Sequence, residues 1–236
     1  MIRAVIFDWG GTLTPWHEVD LVAQWYAYAE VYDPVNAASL AVRLRDAEMQ
    51  RWRVQLLSNG QTSTGALDRI FLDEGIDISS DVHSQALESY LRFWDPHTFA
   101  DPQAEGLLQA LRADGLSIGV LSNTLWPRSH HEAVFARDGL LPLIDAAAYT
   151  SEMPMAKPHV DAFTTIADML EVSPRDAVFV GDRIWDDILG AQQAGMKTIH
   201  IPHSRIPDDQ VPDGSAIPDA VIDELGEVLD VVRGWQ

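Results

Sequence analysis

Four short segments of the chain set a carboxylate, a hydroxyl or an ammonium beside an apolar run or a turn, where a side chain can reach a ligand. Phe7-Asp8-Trp9-Gly10-Gly11-Thr12-Leu13-Thr14 puts Asp8 at the end of an apolar run, beside a glycine turn that lets a ligand come close. A carboxylate there can attack phosphorus or hold a metal. It can equally be a turn former or a helix cap. Val120-Leu121-Ser122-Asn123-Thr124 repeats the pattern with hydroxyl and amide donors, suited to holding phosphoryl oxygens or to capping a helix. Lys157-Pro158 follows a loop, so its ammonium can sit over strand ends or in solvent; only one other lysine, Lys197, exists. Val180-Gly181-Asp182, with Asp186 and Asp187, presents one carboxylate at a strand end and a second about one helical turn later. Two carboxylates plus water suit Mg²⁺, and acids at a helix N-terminus also complement its dipole.

The elements that must position these groups follow from hydrophobic spacing. Ala4 to Phe7, Ser117 to Leu121, Ala177 to Val180, Thr198 to Ile201 and Ala220 to Ile222 are short apolar runs bounded by turn or helix signals, which predict buried strands. Between them, Leu107, Leu108 and Leu111, then Phe163, Ile166, Ala167 and Leu170, then Ile188, Ala191 and Ala194 have helical spacing and end in plausible stops. Strands alternating with helices predict right-handed crossovers and a parallel sheet covered on both faces, with ligands at the carboxyl ends of its strands. From Trp16 to Trp94 the rhythm changes to helical periods alone. Faces built on Leu21 to Tyr32, Leu40 to Ala47, Leu67 to Phe71 and Leu87 to Trp94 predict four helices, an insert placed as a lid over the strand ends. Pro202 to Pro218 reads as a surface loop, and Leu225, Val228, Leu229 and Val232 as a terminal helix.

Bulk properties narrow the partners. Thirty-six acidic against sixteen basic side chains give a formal charge of −20, which opposes binding to nucleic acid or to an anionic membrane. With no cysteine, disulfides, thiolate metal sites and thiol redox chemistry are excluded. The start Met-Ile-Arg-Ala-Val-Ile-Phe-Asp lacks the apolar stretch of a signal peptide, and no run is long enough to span a bilayer. A soluble, cytoplasmic protein is the expectation, with oligomeric state left open.

In their order, strand-Asp, strand-Ser, Lys-Pro and strand-Gly-Asp, with Asp187-Ile188-Leu189-Gly190-Ala191 leading to Ala194-Gly195-Met196, the chain resembles the haloacid dehalogenase-like hydrolase superfamily along its whole length. The resemblance implies an α/β fold: a Rossmann-like parallel sheet core flanked by helices over 1–15 and 96–236, with a four-helix cap over 16–95. It implies Asp8 as nucleophile and Mg²⁺ ligand, Ser122 on the transferring phosphoryl group, and Lys157 neutralising the charge on both. Asp182 would hold Mg²⁺ together with the Gly10 backbone carbonyl, and Asp187, or alternatively Asp186, would orient its waters. Gly11, Thr12, Asn123 and Thr124 are the expected substrate contacts. The implied activity is Mg²⁺-dependent hydrolysis of a small phosphorylated metabolite through an aspartyl-phosphate on Asp8, the cap closing to exclude water.

One departure matters. Phosphatases of the superfamily generally carry a second aspartate two residues beyond the nucleophile, as acid and then base; Gly10 stands there. A Schiff-base route through a cap lysine is closed, because 16–94 contains no lysine. A dehalogenase-type attack on carbon needs no acid, and Arg43, Arg45, Arg51 or Arg53 could receive the halide, yet such enzymes lack the Gly181-Asp182 turn. A catalytically impaired binding protein is the other alternative. If phosphoryl transfer is retained, either the leaving group is a good one or another acid stands in: His17 first, His130 and His131 behind it. Trp9, Trp16 and Trp126 are expected at the pocket entrance or in a contact between cap and core.

Overall fold

The computed structural model describes residues 1–205 and 216–236. The loop expected over Pro202 to Pro218 therefore lies partly outside the described residues. Six parallel strands form one sheet in the order β3-β2-β1-β4-β5-β6, namely β1 (Ala4–Phe7), β2 (Ser117–Ser122), β3 (Ala146–Tyr149), β4 (Ala177–Gly181), β5 (Lys197–His200) and β6 (Ala220–Val221). Ala-Val-Ile-Phe of β1 is buried at every position, as expected of a central strand covered on both faces. Phe7 registers with Val120 of β2 on one side and Val180 of β4 on the other, so the strands bearing Asp8, Ser122 and Asp182 end side by side.

One face of the sheet is covered by α5 (Ala104–Ala113), α6 (Arg128–Arg137) and α9 (Val228–Gly234), which close over Val5, Phe7, Ile118, Val120, Val178 and Val180. The other carries α7 (Val160–Met169) and α8 (Gly190–Ala194), packed on Ile6, Leu121 and Phe179. Each large apolar side chain so buried contributes about 1.5–3 kcal/mol relative to exposure. The chain changes faces between β3 and β4, and such a reversal in strand order leaves the crevice where ligands of open α/β sheets bind.

Two elements depart from the sequence expectation. β3 reads Ala-Ala-Ala-Tyr, half-exposed at its start and too small in side chain to look like a strand. α6 buries only His131, Val134 and Phe135, so its apolar face is too thin to announce a helix.

Between β1 and α5 the chain forms α1 (Leu21–Tyr32), α2 (Ala37–Leu57), α3 (Asp68–Asp73) and α4 (Asp81–Phe93). They share a cluster built on Trp25, Tyr28, Leu44, Phe71 and Tyr90, into which Leu125 and Trp126 from beyond β2 also insert. α2 outruns its apolar period because its buried face includes Glu48 and Gln55. Glu48 accepts hydrogen bonds from Trp25 Nε1 at 2.7 Å, Gln24 Nε2 at 3.0 Å and Trp52 Nε1 at 3.3 Å, which satisfies a carboxylate that would otherwise be costly to bury. Among the described residues, no helix is long and apolar enough to cross a membrane.

Candidate active site

The Asp8 turn is built from backbone. Asp8 N–H donates to Val180 O at 2.9 Å, Thr14 N–H to Trp9 O at 3.0 Å, and Gly11 N–H to Thr14 O at 2.9 Å. Gly11 adopts φ +89°, a left-handed conformation, and a Cβ there would collide with the carboxylate of Asp182. That position requires glycine for both reasons. Gly10 has no such constraint: a Cβ on it would meet no atom within 4 Å.

Lys157 carries its ammonium into the sheet edge, buried, 2.5 Å from Asp8 Oδ1 and 2.7 Å from Asp187 Oδ1. Burial alone would weaken its charge; Asp187 and Asp8 outweigh that and hold its pKa above the usual lysine value. Asn123 fixes the lysine from below, its Oδ1 accepting from Lys157 N–H at 2.9 Å and its Nδ2 donating to Lys157 O at 3.1 Å. The Asn123 amide is thus committed to positioning the lysine. Thr124 is likewise engaged: its Oγ1 accepts from Trp126 N–H at 3.0 Å and lies 2.9 Å from His131 Nε2. Ser122 ends β2, buried.

Beyond Gly181 the helix opens with a π-helical turn over Ile184–Leu189, which takes up one residue more than an α-helical turn. That turn brings Asp187, rather than Asp186, to the lysine. Asp187 Oδ2 also accepts from Arg183 N–H at 2.9 Å, and a Cβ on Gly181 would strike this same carboxylate. Asp186 faces Arg183 instead, at 3.5 Å. Asp182 is buried with both carboxylate oxygens lacking a hydrogen-bond partner, while its backbone carbonyl accepts from His200 Nε2–H at 3.0 Å. Burial, then the nearby Asp8 and Asp187, push its pKa well up. Burial likewise raises Asp8, with the Lys157 charge opposing.

One oxygen each from Asp8, Asp182 and Asp187 lie within 4.8 Å of one another, close enough to share a cation. Around them stand four carboxylates, counting Asp186, against two cations, Lys157 and Arg183, a formal deficit of two charges. A divalent cation closes that deficit and gives the orphaned Asp182 oxygens a partner, so the residues fit one.

The remaining expected residues sit apart from this cluster or serve its walls. His17 is exposed and packs edge-on against His97, 5.2 Å between ring centroids, with no hydrogen bond to the carboxylates. His131 is buried and stacked on Tyr149, and burial lowers its pKa to about 3; His130 lies against Trp126 with its pKa lowered by burial to about 4. Both are neutral at pH 7. Trp9 packs on Trp126 and His131, forming a joint between sheet and helical insertion. Thr12 is buried with its hydroxyl unpartnered. Two residues escaped sequence reasoning. Arg183 stacks on Trp16 at 5.5 Å, and Ser204 places an unpartnered Oγ 2.7 Å from where a Gly11 Cβ would be. Arg183 is signalled by its place after Asp182, but no motif marks Ser204.

A family model described as haloacid dehalogenase-like hydrolase matches residues 2–195, and the chain belongs to that family of hydrolases. It is 28% identical to a glyceraldehyde 3-phosphate phosphatase of Methanopyrus kandleri over 99% of this chain and 98% of that protein. It is 27% identical to (S)-2-haloacid dehalogenase 1 of a Pseudomonas species, over 88% of each. Among solved structures, a HAD phosphatase from Thermococcus onnurineus superposes with a TM-score of 0.65 at 23% identity over 99% of both chains. An L-2-haloacid dehalogenase from Xanthobacter autotrophicus gives 0.62 at 22% identity over the full length of both, a likeness of fold.

Proposed function

We propose that the chain is a Mg²⁺-dependent phosphohydrolase that transfers the phosphoryl group of a small metabolite to Asp8 and then to water, with residues 16–95 acting as its cap. The observation that carries this reading is Asp182: a buried carboxylate with neither oxygen partnered, in a cluster two charges short of neutral. A metal-free attack on carbon gives no reason to bury that group. The phosphatase relative of near-equal length supports the same choice.

Asp8, Asp182 and the Gly10 carbonyl would hold the ion, with Asp187 or Asp186 behind its waters. Bound there, Mg²⁺ would neutralise phosphoryl charge and orient the group for in-line displacement. The chain's own residues supply the rest. Lys157 engages Asp8 Oδ1, which leaves Oδ2 to attack phosphorus as the bond to the leaving oxygen breaks. Ser122, buried at the end of β2, would donate to a phosphoryl oxygen. Water then attacks the acyl phosphate, releasing phosphate and restoring Asp8. Gly10 supplies no proton, so the leaving group departs as an anion unless the substrate brings its own acid. Acyl phosphates and anhydrides fit that requirement best.

The test is a substrate panel ordered by leaving-group pKa, including acetyl phosphate, pyrophosphate and glyceraldehyde 3-phosphate, run with Mg²⁺ and with EDTA. Rates that depend on Mg²⁺ and climb steeply with better leaving groups are expected. Halide release from 2-haloacids in EDTA would instead establish the dehalogenase reading. Ligand stabilisation with no turnover of any substrate would establish a binding protein.

A further inference from the structure

Residues 60–67, which join α2 to α3, bring the helical insertion against the loop that carries Lys157. Gly60 O accepts from Ala156 N–H at 2.8 Å, next to Lys157. Ser63 N–H donates to Pro154 O at 3.0 Å, and its Oγ–H to Met153 O at 2.6 Å. Further along, Leu67 N–H donates to Leu125 O at 2.8 Å. The segment itself is braced from within, since the buried Gln55 accepts from Thr64 N–H at 3.2 Å and Ser63 Oγ accepts from Gly65 N–H at 3.2 Å. Contact at Gly60 is too close for any side chain: φ is +73°, and a Cβ would run into Ala156 O and His159 N.

We infer that residues 60–67 are a strut through which the insertion positions Lys157. The Lys157 loop is gripped on one side by Asn123, which holds both the N–H and the C=O of the lysine, and on the other by Gly60 and Ser63. Leu125 and Trp126, which lie beyond Ser122, join the apolar cluster of the insertion, and Trp126 Nε1–H donates to Tyr90 OH at 3.3 Å, so the segment after β2 is held from the same side. Ser63 and Gly60 act through Lys157, so they are positioning residues, and their effect on rate rests on the phosphohydrolase reading above.

The experiment compares Ser63→Ala and Ser63→Thr with the parent protein. It measures kcat and KM for acetyl phosphate with Mg²⁺, and backbone deuterium exchange over 153–159. Ser63→Ala is expected to lower kcat about tenfold, the scale of a slightly misplaced catalytic group, with KM within about twofold. Ser63→Thr is expected to restore most of the rate. Exchange over 153–159 is expected to speed up in Ser63→Ala while α1 and α4 stay unchanged. An unchanged kcat, a change confined to KM, or unaltered exchange over 153–159 would overturn the inference. If the parent protein turns over no phosphorylated substrate, the phosphohydrolase reading fails, and the exchange arm still decides whether the strut holds the loop.

Discussion

Gly11 and Asp182 approach so closely that no side chain fits between them, although they lie on different strand ends. The glycine turn after Asp8 and the Asp182 carboxylate are therefore one packed unit. Gly11→Ala must both strain a left-handed backbone and displace Asp182. We expect it to cost about 1–3 kcal/mol in denaturant melts and to lower kcat/KM about a hundredfold.

Gly10, one residue earlier, has the opposite character. Nothing lies within 4 Å of a Cβ there, and the residue does not occupy the left-handed region. Gly10→Asp is expected to fold normally and to add the missing acid. Rates on simple alkyl phosphates are expected to rise by about 10² to 10⁴, flattening the dependence on leaving-group pKa.

Metal binding at Asp182, as proposed, is expected to be visible in stability. The folded pKa of Asp182 is raised by burial and by Asp8 and Asp187, so in metal-free protein stability falls as pH climbs from about 4 toward that raised value. At pH 7.5 without metal, Asp182→Asn is expected to melt above the parent protein. Mg²⁺ at a hundred times its Kd is expected to add about 2.7 kcal/mol to the parent and nothing to the variant. Thermal melts with and without Mg²⁺ check both statements.

His131 sets the acid limit. Its pKa falls from 6.5 to about 3 through burial, so its contribution to stability is complete above pH 6.5 and is lost as pH drops toward 3. At pH 5 this amounts to about 2 kcal/mol relative to pH 7. In His131→Gln the slope of stability against pH between 5 and 6.5 is expected to be shallower, whatever its absolute stability.

Most of the sheet was legible because β1, β2 and β4 are largely apolar runs, as strands buried on both faces have to be. β3 was not, since a strand of alanines carries no such pattern. The approach of Asp8 and Asp182 could be anticipated from strand ends, and the resemblance put Asp187 ahead of Asp186 without giving the physical reason for that order. The order depends on a π-helical turn that shifts the side chains by one residue. Asn123 also looked like a substrate contact, because spacing cannot tell an amide aimed at a ligand from one that grips a neighbouring backbone. His17 was chosen for its proximity in sequence to Asp8, and the chain turns it outward against His97.

In the proposed reaction a divalent cation and a phosphoryl group meet at Asp8. Beryllium fluoride, a mimic of phosphate bound to aspartate, measures that meeting without a substrate. Titrated calorimetrically with Mg²⁺ present, the parent protein is expected to take up one equivalent, and to take up none in EDTA or after Asp8→Asn. No uptake by the parent protein, or equal uptake by Asp8→Asn, would contradict it.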